Sequence, residues 1–164
     1  VYGKRIASVD GNMLARETLL KNALQKVKDF DYVIIDCPPS LGLLTINALS
    51  AADKVLLPIQ CEYFALEGLG QLLETTKLIK AINPQLTIGG IILTMFDSRT
   101  KLSASVVEDV RKFFKDSAFE TVVPRNVRLS EAPSHGKTIF QYDSKSTGAK
   151  AYRKLAKEFI NKFN

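Results

Sequence analysis

The run Asp31-Tyr32-Val33-Ile34-Ile35-Asp36-Cys37-Pro38-Pro39-Ser40 limits the fold more than any other stretch of the chain. Val33, Ile34 and Ile35 show no polar alternation, so the segment reads as a strand covered on both faces, as in a parallel sheet flanked by helices. The carboxylate of Asp36 would then emerge at the strand's C-terminal end, the edge where open α/β sheets place their ligands. An acid so placed commonly holds Mg²⁺, directly or through water, beside a nucleotide's phosphates. Pro38 and Pro39 bar helix continuation and stiffen the turn that follows.

The other half of such a site is absent from these residues. A phosphate loop needs Gly-x-x-x-x-Gly-Lys-Ser/Thr between a strand and a helix, so that backbone N–H groups can cradle the phosphates. The one Gly-Lys-Thr is Gly136-Lys137-Thr138, and Glu131 stands where its first glycine belongs. It follows Pro133-Ser134-His135 and leads into Ile139-Phe140, not into an obvious helix, and is rejected as a phosphate loop.

At 164 residues and 46% hydrophobic, the chain is expected to form one domain over 1–164 with a real core. No apolar run approaches the ~20 residues needed to span a bilayer. Cys37 and Cys61 each lie at or near the end of an apolar strand and read as small buried thiols, with too few ligands around either for a metal site. His135 is the sole histidine, so no histidine-based triad is available. The net charge of +6 is uneven: residues 1–80 carry nine basic and nine acidic side chains, residues 81–164 fourteen and eight. That asymmetry points to a polyanionic partner, nucleic acid first and an anionic membrane surface second.

Strands and helices alternate along the chain. Leu14, Leu19, Leu20, Ala23, Leu24 and Val27 recur at helical spacing, predicting a helix over roughly 13–28. After the Pro-Pro turn, Leu41 to Leu49 reads as a short helix and Lys54 to Ile59 as a second buried strand, with Pro58 tolerable near its end or at a bulge. A helix over about 66–81 stops at Asn83-Pro84, and Thr87 to Phe96 is a third strand. Ser105-x-x-Glu108 is a capping-box pattern opening a helix to about Lys115, and Thr121 to Val123 is a short fourth strand. A loop then runs from Arg125 to about Gly148, before a closing helix over 149–163. Such alternation implies a mostly parallel sheet, with the loops after Asp36, Ile59, Phe96 and Val123 gathered on one edge.

Four blocks carry a family resemblance: Asp36 to Leu49, Pro58 to Leu69, Leu93 to Thr100 and Val123 to Lys137. Together they resemble the ParA/Soj chromosome- and plasmid-partitioning ATPases over roughly residues 14–164, matching that family's carboxyl-terminal part. The resemblance implies a three-layer α/β sandwich with a mostly parallel sheet, of the P-loop NTPase type with a deviant Walker A. It also implies that the chain is an amino-terminally truncated piece lacking the P-loop strand and helix, and so turns over no ATP alone.

Residue by residue, Asp36 matches the Walker B acid that holds Mg²⁺, and Pro38, Pro39 and Ser40 match the second switch. Pro124, Arg125 and Asn126 match the loop beside the adenine, with Met95 and Asp97 as neighbours. Arg99 and Arg128 match arginines used for DNA, with Lys101 and Lys137 adding charge in the same two loops. Family members use ATP and Mg²⁺, dimerise around the nucleotide, hold double-stranded DNA without regard to sequence, and release it when a ParB-type partner stimulates hydrolysis. The implied setting is the cytoplasm, on the nucleoid, in DNA segregation.

There are departures from the family pattern. Lys101-Leu102-Ser103 stands where relatives usually have Asn-Leu-Gly, and Thr138 and Ser144 stand where relatives often have proline. The last helix presents Tyr152, Leu155, Ala156, Phe159, Ile160 and Phe163 opposite Lys150, Arg153, Lys154, Lys157 and Lys162. A basic amphipathic helix can lie on anionic lipid, as in the related cell-division MinD proteins. A terminal helix packing its stripe on the sheet is commoner, and the matching blocks are partition-type. An alternative to the ATPase reading is a non-catalytic DNA- or partner-binding module that acts without nucleotide.

Overall fold

Thr87–Phe96, ten residues with apolar side chains on both faces, forms the central strand of a three-stranded sheet. The computed structural model describes residues 16–38, 42–63, 80–81 and 83–164. Leu14, Pro39, Ser40, Leu41 and nearly all of the helix predicted over 66–81 lie outside them. The chain divides into two compact units, Val1–Val55 with Thr75–Thr87 and Leu56–Glu74 with Ile88–Asn164.

In the first unit a 3₁₀ turn, Arg16–Thr18, leads into α1, Leu19–Leu24, and later into α2, Leu43–Ala51. The predicted first helix is therefore shorter at its C-terminal end than its apolar spacing implied, and Val27 is exposed. Asn47 fastens α1 to α2. Its buried amide donates to Arg16 O (2.6 Å) and Leu43 O (3.0 Å) and accepts from Leu20 N (3.1 Å). Asn83 donates to Leu49 O (3.2 Å) and Ala52 O (2.9 Å), satisfying carbonyls at the end of α2 that have no intrahelical partner.

The strand predicted to end at Asp36 is not formed. Residues 32–38 run outside any strand, Val33 and Ile34 are 52% and 83% exposed, and Asp36 and Cys37 are exposed. An apolar run becomes a strand only when a neighbouring backbone completes its ladder, and hydrophobic pattern alone does not supply that neighbour. Cys37 is accordingly not the buried thiol its sequence position implied. Cys61 is buried, and burial pushes its thiol up to about 11.

The sheet is ordered β1 (Lys54–Gln60), β2 (Thr87–Phe96), β3 (Ala118–Pro124). Pro58 falls near the end of β1, the outer strand of the sheet among the described residues, where a missing N–H is tolerated. β2 and β3 are parallel, with Ile91 opposite Ala118, Leu93 opposite Val122 and Phe96 opposite Pro124. β3 is longer than the predicted Thr121–Val123 and includes Pro124.

Both faces of the sheet are covered in this unit, making three layers. Ile91 and Leu93 pack with Ile59 and Cys61 under Val106, Val107 and Val110 of α3, Lys101–Phe114. On the other face Phe119 and Val123 meet Leu155, Phe159 and Phe163 of α6, Thr147–Phe163. Helix α3 starts earlier than the predicted capping box. Thr100 is its N-cap, accepting from Ser103 N (3.3 Å), and Ser105 lies inside the helix.

The segment predicted as a loop over 125–148 contains two helices, α4 (Val127–Ser134) and α5 (Ile139–Tyr142). Asn126 caps α4 by accepting from Arg128 N (3.0 Å), and Thr138 opens α5 with a capping box closed by Gln141. Gly136, at φ 62°, ends α4: its N–H donates to Pro133 O (2.9 Å) and that of Lys137 to Ala132 O (3.1 Å). Gly136-Lys137-Thr138 is thus a helix stop followed by a helix start, which corrects the expectation that no helix follows it; the element before it is a helix and not the strand a phosphate loop requires.

Glu158 of α6 ties that helix to β3, accepting from Glu120 N (2.6 Å) and Thr121 N (3.0 Å). Burial alone would raise its pKa, but those hydrogen bonds and the nearby Lys154 charge outweigh it and hold the carboxyl below its usual value. A depressed folded-state pKa contributes stability above the unfolded value of about 4.3, which disappears as pH falls through the folded value. Acid denaturation of wild type is therefore expected to lose stability in that window, and Glu158→Gln to flatten this part of the curve, as followed by circular dichroism between about pH 5 and pH 2.

Candidate nucleotide cleft and arginine edge

The C-terminal ends of β1 and β2 are held together by one small side chain, Ser103. Its buried Oγ donates to Cys61 O (2.8 Å) after β1 and accepts from Asp97 N (3.4 Å) after β2 and from Thr100 Oγ1 (3.0 Å). Arg125 N donates to Phe96 O (2.9 Å), joining the exit of β3 to that of β2. The Arg125 guanidinium then reaches Glu62, beyond β1, in an ion pair. Three strand exits are so fixed around a cleft of about 400 Å³ lined by Phe96, Asp97, Ser98, Arg99, Pro124 and Arg125.

Asp97 and Arg99 form a bidentate polar pair in the wall of the cleft. Arg99 donates through its backbone N (3.0 Å) and Nε (2.9 Å) to Asp97 Oδ1, and through Nη2 (2.6 Å) to Oδ2. Two parallel N–H···O bonds from a planar fork are the geometry that favours arginine over lysine. The Arg99 hydrogen bonds hold the Asp97 carboxyl well below the usual carboxylate range, and Asp97 in turn raises Arg99. The side chains are 19% and 83% exposed respectively, so the carboxylate sits in the wall while the guanidinium faces solvent.

Of the residues expected beside an adenine, Asp97, Pro124 and Arg125 line this cleft. Met95 and Asn126 adjoin it in sequence. Met95 has φ 57° at an irregularity in the β2–β3 register, a left-handed conformation costly for a non-glycine residue in a strand. Asn126 caps α4 and donates to Thr147 Oγ1 (2.6 Å).

Of the residues expected to meet DNA, Arg99 lines the cleft, Lys101 opens α3, Arg128 opens α4, and Lys137 follows Gly136. All four are exposed. Asp36 and Pro38 belong to the first unit, where both are exposed, and Pro38 O accepts from Thr45 Oγ1 (3.4 Å).

Sequence reasoning missed the partners of these arginines. Glu62 lies inside a matching block with no role implied for it, and Glu131, which pairs with Arg128 (Nη1 to Oε2, 2.9 Å), enters the sequence reading only as the residue standing where a phosphate loop has glycine. The spacing of three residues on a helix was the signal for the second pair. Nothing local could reveal the first, whose members are 63 residues apart.

The first half of the chain, residues 5–88, matches the family model described as an AAA domain. Over 147 residues the chain is 60% identical to the sporulation initiation inhibitor protein Soj of Bacillus subtilis, covering 88% of this chain and 58% of that protein. It is 55% identical to the chromosome-partitioning ATPase Soj of Treponema pallidum, with the same coverage. Among solved structures, one described as cobyrinic acid a,c-diamide synthase from Mycobacterium smegmatis, with bound ATP analogue and magnesium, matches with a TM-score of 0.72 and 39% identity, covering 92% of this chain and 55% of that one. The chain thus spans little more than half the length of the proteins it matches. With this parallel sheet and this run of identity, the chain belongs to the ParA/Soj family of partitioning ATPases.

Proposed function

We propose that this chain is part of an ATPase that segregates chromosomal or plasmid DNA, binding ATP and Mg²⁺, dimerising with nucleotide and holding double-stranded DNA without sequence preference. Hydrolysis of ATP to ADP and phosphate, stimulated by a ParB-type partner, would end each attachment, in the cytoplasm and on the nucleoid. The observation that carries this reading is the cleft at the strand exits, where a carboxylate acceptor (Asp97), apolar walls (Phe96, Pro124) and two arginines converge. A lining of that kind fits an adenine ring, which needs stacking surface and an acceptor for its exocyclic amine. Met95 and Asn126 flank it.

Mg²⁺ beside a nucleotide commonly uses one or two carboxylates with phosphates and water. Asp36 is the acid assigned to that task, with Pro38, Pro39 and Ser40 as the adjoining switch. Bound Mg²⁺ supplies charge neutralisation at the phosphates. The 164 residues contain no Gly-x-x-x-x-Gly-Lys-Ser/Thr. The N–H cradle and its lysine are therefore not supplied by this chain, and alone it is expected to release no phosphate from ATP.

The test uses the chain joined to the part of the Bacillus relative that it does not span. ATP-dependent dimerisation in analytical ultracentrifugation, with ATP-dependent retention of a duplex, is expected. Failure of both with a folded protein overturns the reading.

A further inference from the structure

Arg128 does not stand free at the edge where DNA is proposed to bind. Its Nη1 donates to Glu131 Oε2 (2.9 Å), one helical turn on, and its Nε lies 3.7 Å from Asp143 Oδ2 at the end of α5. The same Glu131 Oε2 also accepts from Tyr142 Oη (3.1 Å), and the Tyr142 ring stacks on His135 with centroids 4.9 Å apart. Two donors therefore share one carboxylate oxygen, and Tyr142 also supports the Arg128 guanidinium directly, so the three side chains form one network. Asp143 has a second task, since its Oδ1 accepts from Lys145 N (3.2 Å) and Ser146 N (3.1 Å) and shapes the turn into α6. Glu131 Oε2 has no comparable backbone duty.

We propose that Glu131 is a positioning residue that holds Arg128 in reserve, with Tyr142 setting how tightly, so that a DNA phosphate must displace a carboxylate oxygen to engage the guanidinium. The inference rests on the duplex-binding reading above and adds to it a pair of residues that tune affinity without touching DNA. Its signature is a shared sign of unequal size. Glu131→Gln weakens the acceptor and releases Arg128. Tyr142→Phe removes a hydroxyl that bonds Glu131 and also supports the Arg128 guanidinium, and so loosens the hold to a smaller degree.

Two measurements separate the inference from the reading it rests on, the first on the 164-residue chain and the second on the chain joined to the part of the Bacillus relative that it does not span, with ATP present. The first is modification of Arg128 by phenylglyoxal, followed by mass spectrometry. The reagent attacks the deprotonated guanidinium, which the Glu131 carboxylate disfavours. The second is anisotropy with a labelled duplex at low salt, with Glu108→Gln on α3 as control. That variant removes the same unit of charge, and Glu108 is not among the ion-pair partners of Arg128.

Faster labelling is expected in Glu131→Gln and, by less, in Tyr142→Phe. Duplex affinity should rise about two- to fivefold beyond the control in the first, as fits the worth of an exposed ion pair, and by less in the second. Unchanged labelling in Glu131→Gln, or affinity no different from the control while Arg128→Ala still weakens binding, overturns the inference and leaves the DNA reading standing. If labelling responds as expected but Arg128→Ala binds the duplex like wild type, the DNA reading falls and takes this one with it.

Discussion

Replacing Phe119 with alanine is expected to unfold the second unit or bring it close to unfolding. The ring is fully buried and belongs to the cluster that joins β3 to Leu155, Phe159 and Phe163 of α6. It also fills the space over Gly90, where a Cβ would lie 2.2 Å from Phe119 Cε2, and the ammonium of Lys162 sits 5.3 Å from its centroid. Truncating such a ring removes the transfer term and leaves a cavity, costing about 3–5 kcal/mol. Typical domains have only ~5–15 kcal/mol in total. Urea unfolding followed by circular dichroism should show the midpoint collapse. A midpoint within experimental error of wild type would mean that α6 and β3 are not joined through this ring.

The second large effect concerns salt. If Arg99, Lys101, Arg128 and Lys137 each neutralise one phosphate, the logarithm of duplex affinity should fall against the logarithm of salt with a slope near ~3.6. Raising salt from about 50 to about 200 mM would then weaken binding about 150-fold. With Arg99→Ala and Arg128→Ala together, the slope should drop to ~1.8 and the same change of salt should cost only about 12-fold. Binding must also be indifferent to duplex sequence, because phosphate contacts carry none of its information. A double variant with the wild-type slope would remove both arginines from the interface.

The fold was legible wherever one element's own residues decide its state. Thr87–Phe96 agrees with its predicted bounds because an unbroken apolar run between turn residues has few other uses. β1 was legible for the same reason and α6 from its apolar stripe at helical spacing, and family membership followed from blocks that needed no geometry. Val33–Ile35 failed because a strand depends on a neighbour that its own pattern cannot name. The segment 125–148 failed differently. Its Arg, Ser, Pro and Gly look like a loop, yet Asn126 and Thr138 caps start two helices there and Gly136 ends the first. Around the cleft, Asp97, Arg99 and Arg125 could be picked from sequence. Ser103, the residue that joins two of the strand exits, could not, since its partner Cys61 is 42 residues away.

The most direct test of the cleft's assignment is a crystal structure of the chain joined to the remainder of its Bacillus relative, grown with an ATP analogue and magnesium. The adenine is predicted to rest against Pro124 with Asp97 and Asn126 beside its edge, between the exits of β2 and β3. Electron density that put the base on any other surface, with this cleft left to solvent, would contradict the account.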